Sequence, residues 1–183
     1  MKKGILTLKL TVALSMLSAI SIIAGKYLAI SGGEVLRFSL ENLPIIFAGV
    51  AFGPLAGALV GAVADLVGCL LVGYAINPIV TLGAVVIGTL AGGVWRICKK
   101  SSLSLWLCCA LSVGISHLVG SVIIKTFGLS VYYDMSFEVL LLWRLLNYVI
   151  IGCLDGAILF GLMRSKLIRE EISSIVGTRG ERR

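Results

Sequence analysis

Long apolar runs broken by short polar or Gly/Pro-marked connections organise this chain. They lie at Leu6–Ala24, Leu43–Phe52, Leu55–Val72, Pro78–Val94, Leu103–Ile124 and Phe137–Met163. A hydrocarbon core about 30 Å thick takes roughly 20 apolar residues of helix to cross. In lipid a helix is favoured because it satisfies its own backbone groups. The run at 43–52 is short and is expected to borrow residues from the polar connection before it, with Gly53-Pro54 separating it from the next run. The pattern predicts an all-α integral membrane protein with six transmembrane helices, formed by residues 1–183 as a single transmembrane domain. Residues 170–183 are expected to form a flexible cytoplasmic tail.

Composition agrees with a membrane solvent. Of 183 residues, 58% are hydrophobic and 14% charged, against about 45–50% and about 25% for a soluble domain. The net charge of +7 is concentrated at Met1–Lys3, at Arg96, Lys99 and Lys100, and from Arg164 to Arg183. Lysine and arginine favour cytoplasmic loops, so both termini and the 96–102 connection are expected inside. Outer connections then fall at 25–42, 73–78 and 125–136, where Lys26, Arg37 and Lys125 depart from the rule and suit an anionic ligand instead. No basic strip interleaved with aromatics is present, so nucleic acid is not an expected partner. The opening residues imitate a signal peptide, but more apolar chain follows, and they are read as an uncleaved first span. Five cysteines without a C-x-x-C pair, and one histidine, predict buried thiols and no metal site.

Two further patterns run through the spans. Gly53, Gly57 and Gly61, Gly88 and Gly92, and Gly152 and Gly156 have the spacing that lets helix backbones approach closely. Ser15 and Ala19, with Ser18, make a similar small face on the first span, suited either to packing or to docking against another membrane protein. Ionisable groups inside spans cost about 2.5–3.5 kcal/mol each and mark functional positions. Here they are Asp65, His117, Arg144 and Asp155, with Lys125 closing the fifth run. Arg144, Asn147 and Tyr148 share one helix face, at a depth matching His117, which predicts one polar cavity open to the outside. The competing structural reading pairs Arg144 with Asp65 or Asp155 as a salt bridge. No nucleophile–base–orienter set, P-loop or H-E-x-x-H is present, and a catalytic role is not expected.

The stretch from Leu36 to Gly68 carries a resemblance. It reads Leu36, Arg37, Phe38, Ser39, then Leu43-Pro44-Ile45, then Ala48, Gly49, Phe52-Gly53-Pro54, Gly57, Val60, Gly61, Asp65 and Gly68. It resembles the substrate-binding S components of energy-coupling factor (ECF) vitamin transporters, and the Arg37-to-Pro44 portion resembles their folate-specific members. The F-G-P-x-x-G portion is common to several S components. The resemblance implies an S-component-like bundle in the bacterial plasma membrane that captures folate from outside. It also implies partners: a transmembrane coupling subunit, met by the Ser15 and Ala19 face, and two ATP-binding cassette ATPases, which alone would use ATP. No cofactor is implied.

Folate has a flat pterin, an aromatic ring and a tail with two carboxylates, so its pocket needs hydrogen-bonding groups, apolar walls and cations. Arg37, Lys26, Lys125 and Arg144 are the candidate cations. Phe38, Tyr132, Tyr133 and Trp143 are candidate walls, and Glu41, Asn77, Asn147 and His117 candidates for the pterin edge. Arg37, Arg144 and Phe38 lead that set. The alternatives are the same fold with another vitamin (riboflavin, thiamine or a nucleobase precursor) and a membrane subunit with no transported ligand.

Overall fold

The computed structural model describes residues 8–32, 36–133 and 136–176, with the side chains of residues 31, 32, 36, 37 and 133 outside that description. Helix α1 (Leu8–Ile22) widens into a π-helical turn at Ile23–Tyr27. Strands β1 (Ile30–Gly32) and β2 (Leu36–Phe38) form a small antiparallel hairpin, with Ser31 opposite Arg37 and Ile30 opposite Phe38. Then come α2 (Asn42–Phe52), α3 (Pro54–Val72), α4 (Pro78–Lys100) and α5 (Leu105–Ser116). A π-helical segment at His117–Ile124 leads into α6 (Lys125–Tyr133), followed by α7 (Phe137–Arg164) and α8 (Lys166–Val176).

Five helical stretches among the described residues are long and apolar enough to cross a membrane: Leu8–Tyr27, Pro54–Val72, Pro78–Lys100, Leu105–Tyr132 and Phe137–Arg164. The sixth expected span is the shorter helix α2. Two expectations are corrected. The 25–42 connection contains a strand hairpin. The fifth span does not stop at Ile124 but runs on, so Lys125 lies inside a helix. The expected tail from residue 170 is helical to Val176, with 177–183 outside the described residues.

Local chemistry sets the breaks. Gly53 sits at φ +105°, a conformation that L side chains rarely adopt, and Pro54 then opens α3 where its missing N–H costs nothing. Gly73 ends α3 at φ +71°. Asn77 caps α4 by accepting from the amides of Ile79 at 3.0 Å and Val80 at 3.3 Å, with Pro78 at the first helical position.

The core centres on α2, α3 and α4, where glycines bring backbones into contact. A Cβ at Gly57 would stand 2.7 Å from Gly49 Cα, and one at Gly92 would stand 2.6 Å from Pro54 N. Around this seam Ile46, Ile87, Val60, Ala91 and Val113 are almost fully buried. The spacing at Gly152 and Gly156 behaves differently. No side chain or neighbouring backbone lies within 4 Å of a Cβ built at Gly156, and only His117 Cδ2, at 3.9 Å, is near one built at Gly152. Four cysteines are buried as expected, while Cys153 is exposed.

Candidate ligand-binding site

The π-helical segment builds the site. His117, Ser121 and Lys125 recur every four residues, and the wide turn stacks the first two, with His117 Nδ1 3.3 Å from Ser121 Oγ. The start of α2 faces this column. Lys125 Nζ donates to Glu41 Oε1 at 3.3 Å and to Asn42 Oδ1 at 3.4 Å. Asn42 Nδ2 donates to Ser121 Oγ at 3.3 Å. On the other side His117 Nε2 pairs with Asp155 Oδ2 of α7 at 2.9 Å. With His117 protonated on Nε2, Lys125, Asn42, Ser121 and His117 each donate to the next group, ending at the Asp155 carboxylate. Such a chain is polarised between a cation and an anion, which strengthens each link inside an apolar bundle.

Arg144 reaches this column from α7 and is half-buried. Its Nε and Nη2 donate to the Ser121 carbonyl at 3.2 and 2.9 Å. Nη2 also lies 3.4 Å from Tyr148 Oη, and the guanidinium is 5.3 Å from the Tyr148 ring centroid. The competing salt bridge to Asp65 or Asp155 is not formed. Asp155 is held by His117, and Asp65 accepts from Thr81 Oγ1 at 2.6 Å. Among the described residues the ion pairs are His117–Asp155 and Lys125–Glu41, so no described carboxylate is within 4.0 Å of Arg144. Asn147, one turn along the same helix face, is buried.

The remaining sequence candidates separate into groups. Lys26, Glu41, Asp65 and Lys125 line one small cavity of about 20 Å³ near Gly25. A Cβ at Gly25 would stand 2.6 Å from Glu41 Oε2, so glycine is what admits that carboxylate. Lys26 itself reaches Cys69 Sγ at 3.8 Å and lies 5.4 Å from the Tyr74 ring centroid. Arg37 and Phe38 lie on β2, which packs against α7, and Phe38 is half-buried. Asn77 stands apart: besides capping α4, its Nδ2 donates to the Gly128 carbonyl at 2.8 Å, so its side chain joins α4 to α6. Ser15 and Ala19 are exposed on the outer face of α1, whereas Ser18 is buried.

An open apolar groove of about 440 Å³ runs between α5 and α7, with His117 and Tyr148 as its polar wall and Gly114, Gly152 and Gly156 as its floor. Its volume falls in the range of small-molecule pockets, about 300–1,000 Å³. The His117 and Tyr148 rings are 5.1 Å apart and tilted by 34°. Sequence reasoning passed over Asn42, Ser121 and Thr81, neutral polar residues common in helices. The four-residue recurrence of Ser121 with His117 and Lys125 was the available signal.

Residues 9–167 match the family described as ECF transporter, substrate-specific component. The folate transporter FolT of Clostridium novyi (strain NT) is 29% identical over 128 residues, which cover 69% of this chain and 72% of that protein. Among solved structures, FolT bound with folic acid superposes with a TM-score of 0.66 at 21% identity, covering 84% of this chain and 90% of that one. The S component of a bacterial ECF transporter gives 0.60 at 19%, covering 84% and 92%. The S component for biotin from an ECF-type ABC transporter gives 0.62 at 19%, covering 86% and 91%. A match over most of its length, together with the apolar spans and the shared fold, makes this chain a member of the ECF transporter substrate-specific components, multi-pass proteins of the bacterial plasma membrane.

Proposed function

We propose that this chain binds folate at the outer side of the membrane and hands it inward, while partner ATPases supply the energy. The observation that carries this reading is Arg144, a guanidinium inside an apolar span, anchored on the Ser121 carbonyl and with no described carboxylate within 4.0 Å. A cation in that setting suits an anionic ligand, and folate brings two carboxylates. Arg37 on the hairpin, together with Lys26 and Lys125 around Glu41, is the further cationic set for the tail. His117 and Asn147 address the pterin edge together with Glu41, while Phe38 and the groove beside Tyr148 supply apolar walls. Asn77 has the weakest support in the set, because its side chain already caps α4. The similarity to the Clostridium folate transporter and to the folic-acid-bound structure supports the choice of vitamin.

Both termini are assigned to the cytoplasm by charge. The exposed Ser15 and Ala19 face is assigned to a transmembrane coupling subunit that works with two ATPases. The chain acts by binding rather than catalysis and needs no cofactor. A second reading, the same fold carrying another vitamin, draws on the biotin S component, which superposes almost as well as the folate one. Titrating the purified protein with folate and with riboflavin separates the two: folate is expected to bind at submicromolar concentration and riboflavin not. Arg144→Ala and Arg37→Ala are each expected to weaken folate binding more than about tenfold, the loss of a charge-assisted hydrogen bond, without unfolding the bundle. Normal folate binding by both variants would sink this site.

A further inference from the structure

At the opposite end of the bundle from the hairpin, the last turns of α2, α4 and α7 and the first residue of α5 surround a crevice of about 350 Å³ that α8 borders. Its walls are apolar: Val50, Trp95, Leu105, Met163 and Ile172. Its two charged lining residues are both cations, Lys99 of α4 and Arg169 of α8, and both side chains are exposed. Lys99 Nζ sits 5.1 Å from the Trp95 ring centroid. Neither Lys99 nor Arg169 belongs to an ion pair among the described residues. Helical spacing puts Ile168, Ile172 and Ile175 on one side of α8, with Arg169 at one margin of that side, Glu171 at the other and Glu170 on the far side.

We propose that this crevice is a binding site for an anionic phospholipid, with the phosphate held between Lys99 and Arg169 and the start of an acyl chain lying against Trp95, Leu105 and Met163. Three observations converge on that occupant. The spans end here, as Lys99 is the next-to-last residue of α4, Leu105 the first of α5 and Met163 the next-to-last of α7, so the crevice is at headgroup level. The charge is of one sign and sits at the rim, while the interior is apolar, matching an amphiphile and not a free anion. Helix α8 has the amphipathic pattern of a helix lying in the membrane interface, and its Ile172 forms part of the crevice wall. Basic pockets between spans at a membrane face recognise anionic headgroups by this means.

Native mass spectrometry of the purified chain with phosphatidylglycerol and with phosphatidylcholine tests the assignment. The wild-type chain is expected to retain phosphatidylglycerol preferentially. Lys99→Gln/Arg169→Gln is expected to lose about twenty-five-fold in that affinity, from about fivefold per surface cation. Lys100→Gln/Lys166→Gln, which removes two cations of the same end outside the crevice, is expected to change it little. Ala51→Phe fills the crevice without altering charge and should lose the lipid as well. Equal retention of both lipids overturns the proposal, as does an equal loss in the two double variants. If Lys99→Gln/Arg169→Gln keeps the lipid but loses the coupling subunit, the surface belongs to that partner. Vitamin binding at the far end, measured on the same samples, checks folding and stands or falls separately.

Discussion

Between α3 and α4 the backbones touch, and between α5 and α7 they stand apart, yet glycines line both gaps. At the first, Gly57 and Gly88 meet through backbone atoms with no room for a methyl group. At the second, Gly114 and Gly156 face open space beside His117 and Tyr148. The same small-residue spacing therefore makes a rigid seam in one half and an emptied wall in the other. What separates them is the partner surface. A second glycine row answers the first on α4, while the π-helical segment that follows α5 brings polar groups.

The sharpest way to break this contrast is Gly88→Val against Gly156→Val. The first forces atoms into backbone and is expected to cost more than about 3 kcal/mol or abolish the folded species, whereas the second should stay within about 0.5 kcal/mol. Size-exclusion profiles and melting curves in detergent report both. Equal tolerance would mean that the seam is not close-packed.

Next in size is Lys125→Met. It takes one cation from Glu41, and because that carboxylate is partly open to solvent the expected loss is about 2–3 kcal/mol, below the limit for a fully buried pair. Adding Glu41→Met should recover most of it, and a double-variant melt that shows simple additivity would deny the coupling. The smallest effect probes the joint between the halves. Asn77→Ala removes the α4 cap and the strap to Gly128, with an expected loss of about 1–2 kcal/mol in thermal stability and little change in folate affinity. A large drop in affinity with unchanged stability would return Asn77 to the pocket.

The spans were legible because lipid demands long apolar runs, and α2 was recognised as short for the same reason. The extension of the fifth span through Lys125 and Thr126 was hidden, since two polar residues end an apolar run even when the fold buries them. The three-residue strands of the hairpin are too brief to establish an alternating pattern. His117, Arg144 and Asp155 stood out because ionisable groups are rare in spans. Their pairing was not legible, as Asp155 meets His117 only through the packing of α7 on the π-helical segment. Asn42 and Ser121, which link the two sides, carry no charge to mark them.

Helix α2 has 11 residues, about 16 Å of rise. That is roughly half of a hydrocarbon core about 30 Å thick. Its last turn lines the crevice beside Lys99, and Glu41 at its start shares a cavity with Asp65 and Ala84, partway along α3 and α4. The rest of that path is left to the hairpin and the connection after it. A solute held by Glu41 would therefore rest beside the interior turns of α3 and α4, inside the bundle, before any subunit moved.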